Sequence, residues 1–551
     1  MIPKKDDTEQ RTLVAILLSL VVFWVWSAYF APRPPPVEPD AVTEVAPPEA
    51  APPVAEPSTP ELVLPTDAVP ERSVPVKTST IEAELSSHGG VLRGISLPAQ
   101  PGALHVEPLW TYVVNRVKGQ NPGEWRPYGD AEGPEVLLSA EGSLLAAGAG
   151  ALTEGDWTVE GEGPWVTTHV TPEGLVLTRT WRQTEDPTRM QVEIRYENRG
   201  STSYVGELWV GTMERCEGEA SRYANVKRPT AVVDGDLETL EDLSKAEEEP
   251  IVHKGPVSWF GVGDRYFLAA AIPQQDDWGT LTFALAKDGR AGAFLVNSTT
   301  LAPGASSALT MDVYLGGKDL SVLGALGHDM DKSVSLGMFG FFARILLYVL
   351  QMIFKVAGNW GVAIILLTVG VKSLFWPLTR KSFVSGRKMQ ALAPKLNEIR
   401  ERYKDDQQAA GTAQMQLFQQ EGVSPLSGCL PMVIQMPVWF ALYSVLQYST
   451  DIYHADFLYL RDLSSLDPYG VLPTLVGVLM IIQQQLTPAS PGMDPMQQKM
   501  LKLMPLIFVG IMYAFPSGLA LYIFINTLLS IAQMWMINRS IPVATPSPAT
   551  T

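Results

Sequence analysis

Lys372 stands inside an apolar stretch, GNWGVAIILLTVGVKSLFWPLT, at 358–379. A hydrocarbon core of roughly 30 Å needs about 20 such residues in a helix. A charge within it costs roughly 2.5–3.5 kcal/mol on insertion scales. Chains keep such a charge mainly where it faces a bundle interior or a wet cavity. Thr368 precedes Lys372 by four residues, on the same helix face. Asp405, Asp406 and Asp494 fall in polar loops rather than apolar stretches. An ammonium without a carboxylate partner needs water, lipid phosphate or a passing substrate. The chemistry on offer is therefore non-covalent: attraction of an acidic, hydrated segment into the bilayer.

Other polar residues recur at helical spacing. Gln435, Trp439 and Tyr443 follow one another at i+4, as do Tyr522, Asn526 and Ser530, and Gln483, Gln484 and Gln485 sit together. Met436 adjoins the first of these rows. Polar groups left unsatisfied in hydrocarbon cost several kcal/mol each, so these faces should converge on a half-wet interior open toward the cytoplasm. The plainer alternative is that the amides and hydroxyls glue helices together.

Covalent chemistry fits poorly. An intramembrane hydrolase could use Lys372 as base with Ser373 or Thr368 as nucleophile. Adjacent residues face different sides of a helix, however, and no glycine cluster offers an oxyanion hole. A channel or secondary transporter would favour inverted repeats and broken helices, and no corresponding halves are visible. His88, His105, His169 and His253 are scattered without a Ser or Cys elbow. Cys216 and Cys429 are the two cysteines, and no Cys/His cluster has ligand spacing. No catalytic residue, metal, cofactor or disulfide is expected, and no enzyme activity.

The elements that must position Lys372 run through a chain of 551 residues with formal net charge −17. That balance argues against a nucleic-acid partner. It is uneven, because residues 380–404 carry eight basic residues against Glu398 and Glu401. Residues 1–30 read as an uncleaved transmembrane helix, with Trp24, Trp26 and Tyr29 as an interfacial belt. Residues 31–75 hold 14 prolines and form an extended linker. Residues 76–323 alternate with period two, notably 80–85 with 91–97 around Gly89-Gly90, and 175–181 with 190–196 around Asp186-Pro187. This pattern predicts a β-sandwich.

Residues 324–357 read as an interfacial amphipathic helix, and 358–537 as the membrane core. Transmembrane helices are expected at about 358–379, 425–448, 469–486, 500–515 and 518–537, with a short tail at 538–551. Residues 380–422 read as a helical hairpin split near Asp405-Asp406 and Gly411-Thr412. Met389, Leu392, Leu396 and Ile399 form its seam with Met415 and Phe418, and the methionines could instead present a client surface. The fold class is thus a polytopic α-helical membrane protein with six transmembrane helices, a large extracytoplasmic β-sandwich and a cytoplasmic hairpin. Six spans place both termini and the basic loop inside, as the positive-inside rule requires.

Several motifs resemble the YidC/Oxa/Alb membrane protein insertases: GNWG followed by VKSLFWPLT, KMQALAPKLNEIRERYKDD, SPLSGC, PMVIQMPVWFALY, DPMQQKM and FPSGLALY. The likeness is specific over 358–537, and the N-terminal layout resembles the Gram-negative YidC type. The resemblance implies a protein that inserts and helps fold inner-membrane proteins, alone or beside the Sec translocon, without nucleotide or metal. It implies a hydrophilic groove, closed outside and open to cytoplasm and lipid. Lys372 takes the place of the family's usual groove arginine. Thr368 takes that of its groove threonine, residues 430–439 that of its client contacts, including Gln435, Met436 and Trp439, and Tyr522 that of its last-span aromatic. Asp405 and Asp494 match acidic cytoplasmic-loop positions. Implied partners are nascent clients, Sec components, lipid and, weakly or transiently, the ribosome. The tail lacks a basic extension, so strong electrostatic ribosome docking is not expected.

Overall fold

The computed structural model describes residues 62–63 and 71–540, except 103–105, 119–124, 129–132, 151, 154–156, 162, 217–225, 276–277, 287–288, 405, 423–429 and 487–494. The expected first span, most of the linker, Asp405, Asp494, Cys429 and the tail beyond 540 lie outside the described residues.

Period-two alternation builds two nine-stranded sheets. In the first, Leu175–Gln183 pairs antiparallel with Arg189–Asn198, Trp181 opposite Val192. Met190, Val192, Ile194 and Tyr196 are all fully buried on one face. Asp186 closes the turn, accepting from the backbone N–H of Thr188 at 2.9 Å. Ser306–Gly317 pairs on the far side of Arg189–Asn198 and with Phe267–Pro273. The inner faces of both sheets enclose one apolar core.

That core contains one unexpected cation. Arg179 is fully buried where the alternation calls for an apolar residue. Its guanidinium donates to the carbonyls of Gly89 and Gly90 and lies over the Trp157 ring, 4.6 Å from the centroid. Burial lowers its pKa to about 9. Gly90 has φ +58° and lies against the Trp157 ring, where a Cβ would come within 2.5 Å. This is why the Gly89-Gly90 turn cannot carry larger residues.

The first sheet's outer face is not solvent. Val232, Trp259, Leu268, Ala270, Ile272 and Tyr314 join a second core that runs on into the helices. We label the helices α1 (Leu109–Val117), α2 (Gly340–Ala357), α3 (Trp360–Leu374), α4 (Trp376–Ala391), α5 (Ala393–Arg402), α6 (Gln407–Gln420), α7 (Leu430–Tyr448), α8 (Val471–Leu486), α9 (Pro495–Met512) and α10 (Ser517–Ser540). The loop between α7 and α8 ties the two halves together. Its Tyr453 hydroxyl donates to Glu135 at 3.0 Å and packs on Tyr266 and Phe267. Burial, helped by the nearby Asp264 charge, raises the Glu135 pKa to about 7 despite the opposing Tyr453 hydrogen bond and Lys227.

The helical reading needs two corrections. The expected continuous helix at 358–379 ends at Leu374, and α4 leaves it at 59°. Pro377 explains the bend, since it has no N–H for the Ser373 carbonyl and its ring crowds that oxygen. The hairpin breaks after Arg402, and Asp406 caps α6 by accepting from Gln408 and Ala409, while Gly411 and Thr412 lie inside α6. One helical glycine costs only about 1 kcal/mol against alanine, and a good cap offsets that.

Helix α2 presents two further surfaces beside its packing face. Ala343, Leu347 and Leu350 are buried, but the opposite face carries Phe341, Phe342, Ile345, Tyr348, Met352 and Val356. Arg344 and Lys355 are exposed as well, so outside its packing face the helix carries a basic stripe beside an apolar one. Among the described residues, α2 and 517–539 of α10 are long and apolar enough to cross a membrane, and the α3–α4 pair makes a third if taken as one span.

Candidate functional site

The helix carrying Lys372 is held at its start by Asn359. Its side chain accepts from the Val362 N–H at 3.1 Å and donates to the Asp456 carbonyl at 3.0 Å. Gly361 allows Phe457 to lie directly on the first turn of α3. The far end of α3 brings Lys372 to α10, where its Nζ donates to Ser530 Oγ at 2.8 Å. Ser530 in turn donates its one proton to the Asn526 carbonyl at 2.7 Å. The remaining two ammonium protons have no partner among the described residues, and no described carboxylate reaches the half-buried Nζ.

The α10 row continues on both sides of Ser530. The Asn526 Oδ1 and Gln533 Oε1 atoms are buried without a hydrogen-bond partner. The Gln533 amide approaches the Lys372 carbonyl at 3.5 Å, the outer limit for such a bond. Two orphaned acceptors thus lie two turns apart on α10, in the row that also receives Lys372 of α3 with its two unused donors. Buried polar atoms are almost always satisfied by protein or water, so this layer requires a polar occupant.

The expected groove residues separate into two layers. Thr368 is 1% exposed, and its hydroxyl donates to the Ile364 carbonyl at 2.6 Å. Tyr522 is also 1% exposed, accepting from Gln435 Nε2 at 2.9 Å. The Gln435–Tyr522 bond fastens α7 to α10, and both Thr368 and Tyr522 are sealed in the packing. Trp439 is partly buried, stacked against Tyr443, which meets Phe515 edge-on. This aromatic stack closes the end nearest the α7–α8 loop. Met436 is half-buried beside it. Lys372, Asn526, Ser530 and Gln533 form a second, polar layer, roughly 6 Å further along α3, at 1.5 Å per residue for four residues.

Gln483 and Gln484 are half-buried and Gln485 exposed. In the hairpin, Leu392 and Leu396 are buried against Met389, Leu417 and Phe418, and Lys395 pairs with Glu421 at 2.8 Å. Met389 therefore belongs to the seam, whereas Met415 is 49% exposed and lies off it. Sequence reasoning missed Gln533. The available signal was its position three residues after Ser530, which extends the Tyr522–Asn526–Ser530 row by one turn.

A bundle of apolar helices that holds a cation with no carboxylate partner among the described residues, joined to a large β-sandwich, defines a helical membrane protein with a β-rich extramembrane domain. Comparison with known proteins is specific. The family model for the 60Kd inner membrane protein matches residues 352–544, and that for the YidC periplasmic domain matches 151–349. The chain is 36% identical over 554 residues to the membrane protein insertase YidC of Geobacter sulfurreducens, covering 97% of this chain and 99% of the relative. It is 34% identical over 550 residues to that of Citrifermentans bemidjiense, with 97% and 99% coverage. It is 36% identical over 426 residues to that of Marinobacter nauticus, with 75% and 73% coverage. A solved active YidC insertase with its first transmembrane domain resolved is 17% identical, with a TM-score of 0.36 and coverage of 95% and 99%. The chain belongs to the YidC family of membrane protein insertases.

Proposed function

We propose that this chain inserts inner-membrane proteins and helps them fold, alone or beside the Sec translocon, by lending its polar groove to a client's hydrated segment. The supporting observation is the polar layer around Lys372: an ammonium whose one partner among the described residues is Ser530, beside the unpartnered Asn526 and Gln533 oxygens. Water in that layer lowers the desolvation cost of a short polar tail. Lys372 attracts acidic residues of the tail more strongly than bulk water would allow. The apolar client helix meanwhile passes into lipid along α7 and α10. No bond is made or broken, and no nucleotide or metal takes part.

Six spans set this groove toward the cytoplasm, with residues 1–30, α3, α7, α8, α9 and α10 crossing and α2 lying along the outer interface. Both termini and the α5–α6 hairpin are then cytoplasmic, and the β-sandwich of 76–323 is periplasmic. This arrangement keeps the basic residues of 380–404 inside. Asp405 and Asp494 fall in the cytoplasmic loops, where Met389 and Met415 frame the hairpin. Sec components and, transiently, the ribosome are the expected macromolecular neighbours.

Photocrosslinking tests the reading. A crosslinking amino acid at Met436 is expected to capture a stalled nascent single-span client, because that residue borders the groove and is half-buried rather than sealed. Consistently empty crosslinks at Met436, with the protein folded and abundant, would contradict it.

A further inference from the structure

Helix α1 lies in the β-domain between strands Leu92–Pro101 and Pro134–Leu138, and its amphipathicity is inverted. Leu109, Trp110, Val113, Val114 and Val117 share one arc of the helix, and all are exposed, Val117 at 83%. Thr111, Tyr112 and Asn115 fill the opposite arc and are partly buried. A helix folded for contact with water would turn the other way. The helix carries no acidic residue, while Arg116 lies in its last turn and Lys118 follows it.

Its location identifies what covers the arc. The Leu109 N–H donates to the Pro468 carbonyl at 2.8 Å, just before α8 begins at Val471. Trp125 packs edge-on against Tyr469 and also contacts Tyr112. From there, exposed apolar side chains continue along α8 through Val471, Leu475, Val478 and Ile482. The arc of α1 is thus continuous with the lipid-facing wall of a span, at the level where aromatic and basic residues favour the headgroup boundary.

We propose that α1 is a membrane foot: its Leu109–Val117 arc seats in the periplasmic-side lipid surface, with Arg116 and Lys118 near phosphates, and fixes the β-domain's height over the groove. The inference rests on reading α8 as a membrane span and is independent of what the groove does.

Single cysteines at Val113 or Val117, in a full-length Cys216→Ala, Cys429→Ala background, would carry a bimane label in vesicles of phosphatidylethanolamine and phosphatidylglycerol. Both labels are expected to be quenched about twofold by shallow spin-labelled lipid and shielded from aqueous iodide, as interfacial burial predicts. Quenching by iodide and not by lipid would overturn the proposal. Shielding from both would also overturn it, since protein would then cover the arc. Neither contrary result would alter client capture at Met436, so failure here is distinguishable from failure of the insertase reading. Two labelled positions guard against one variant misfolding.

Discussion

Lys372→Glu is expected to abolish client insertion, and Lys372→Arg to retain most of it. In cells depleted of their own insertase, rescue should follow lysine, arginine, alanine, glutamate in descending order. The physical basis is a charge with one neutral partner, Ser530, at 2.8 Å. A client carboxylate about 4 Å from such a cation gains about 4 kcal/mol at an effective dielectric near 20. Removing the charge forfeits part of that gain, and reversing it replaces attraction with repulsion of similar size. At about 1.4 kcal/mol per factor of ten, the reversed variant should lose on the order of a hundredfold or more in occupancy by an acidic-tailed client. Arginine keeps the charge, and its fork can still donate to Ser530. A client with a neutral tail should respond much less, which separates electrostatic recruitment from damage to the bundle. Equal rescue by glutamate and arginine would refute the role given to Lys372.

Gly361→Ala is expected to dislodge the start of α3 and lower both stability and insertion, and Phe457→Ala in the same chain should restore much of the loss. A Cβ at Gly361 would come within 2.2 Å of Cγ and Cδ2 of Phe457 and 2.7 Å of its Cβ. These atoms sit at the root of the ring and cannot swing away without moving backbone. That backbone is pinned, because Phe457 and Leu460 exchange hydrogen bonds at 2.8 and 3.0 Å. Overpacking of this kind costs about 1–3 kcal/mol. Thermal unfolding of the purified protein and proteoliposome insertion would read it. Trimming Phe457 removes the two closest contacts and leaves only its Cβ, so the double variant should be better than the sum of the two single changes. Simple additivity would contradict the clash.

Much of the architecture can be read directly from the residues. The Leu175–Gln183 and Arg189–Asn198 pair is plain because strict alternation meets a turn residue, Asp186, that bonds its own backbone. The bend after Leu374 was readable from Pro377, yet the apolar run continues through Trp376 and masks it. Gly411 misleads in the other direction, since a capped helix tolerates one glycine. On α10, i+4 spacing puts Asn526 and Ser530 on one face. Spacing fixes the face of a helix but not its depth, so the dry burial of Thr368 and Tyr522 was not legible. Nor was the meeting of Lys372 with Ser530, which lie 158 residues apart and are joined only by the packing of α3 on α10.

The central claim is that water reaches Lys372 from the cytoplasm. Ser530→Cys places a thiol of nearly the same size against the ammonium. In inside-out vesicles, the account predicts rapid modification of this thiol by a charged, membrane-impermeant methanethiosulfonate reagent, and loss of that modification while a stalled client occupies the groove. A thiol that reacts only with lipid-soluble maleimide, or with neither reagent, would mean that the cation sits in a dry bundle, and the account would fail.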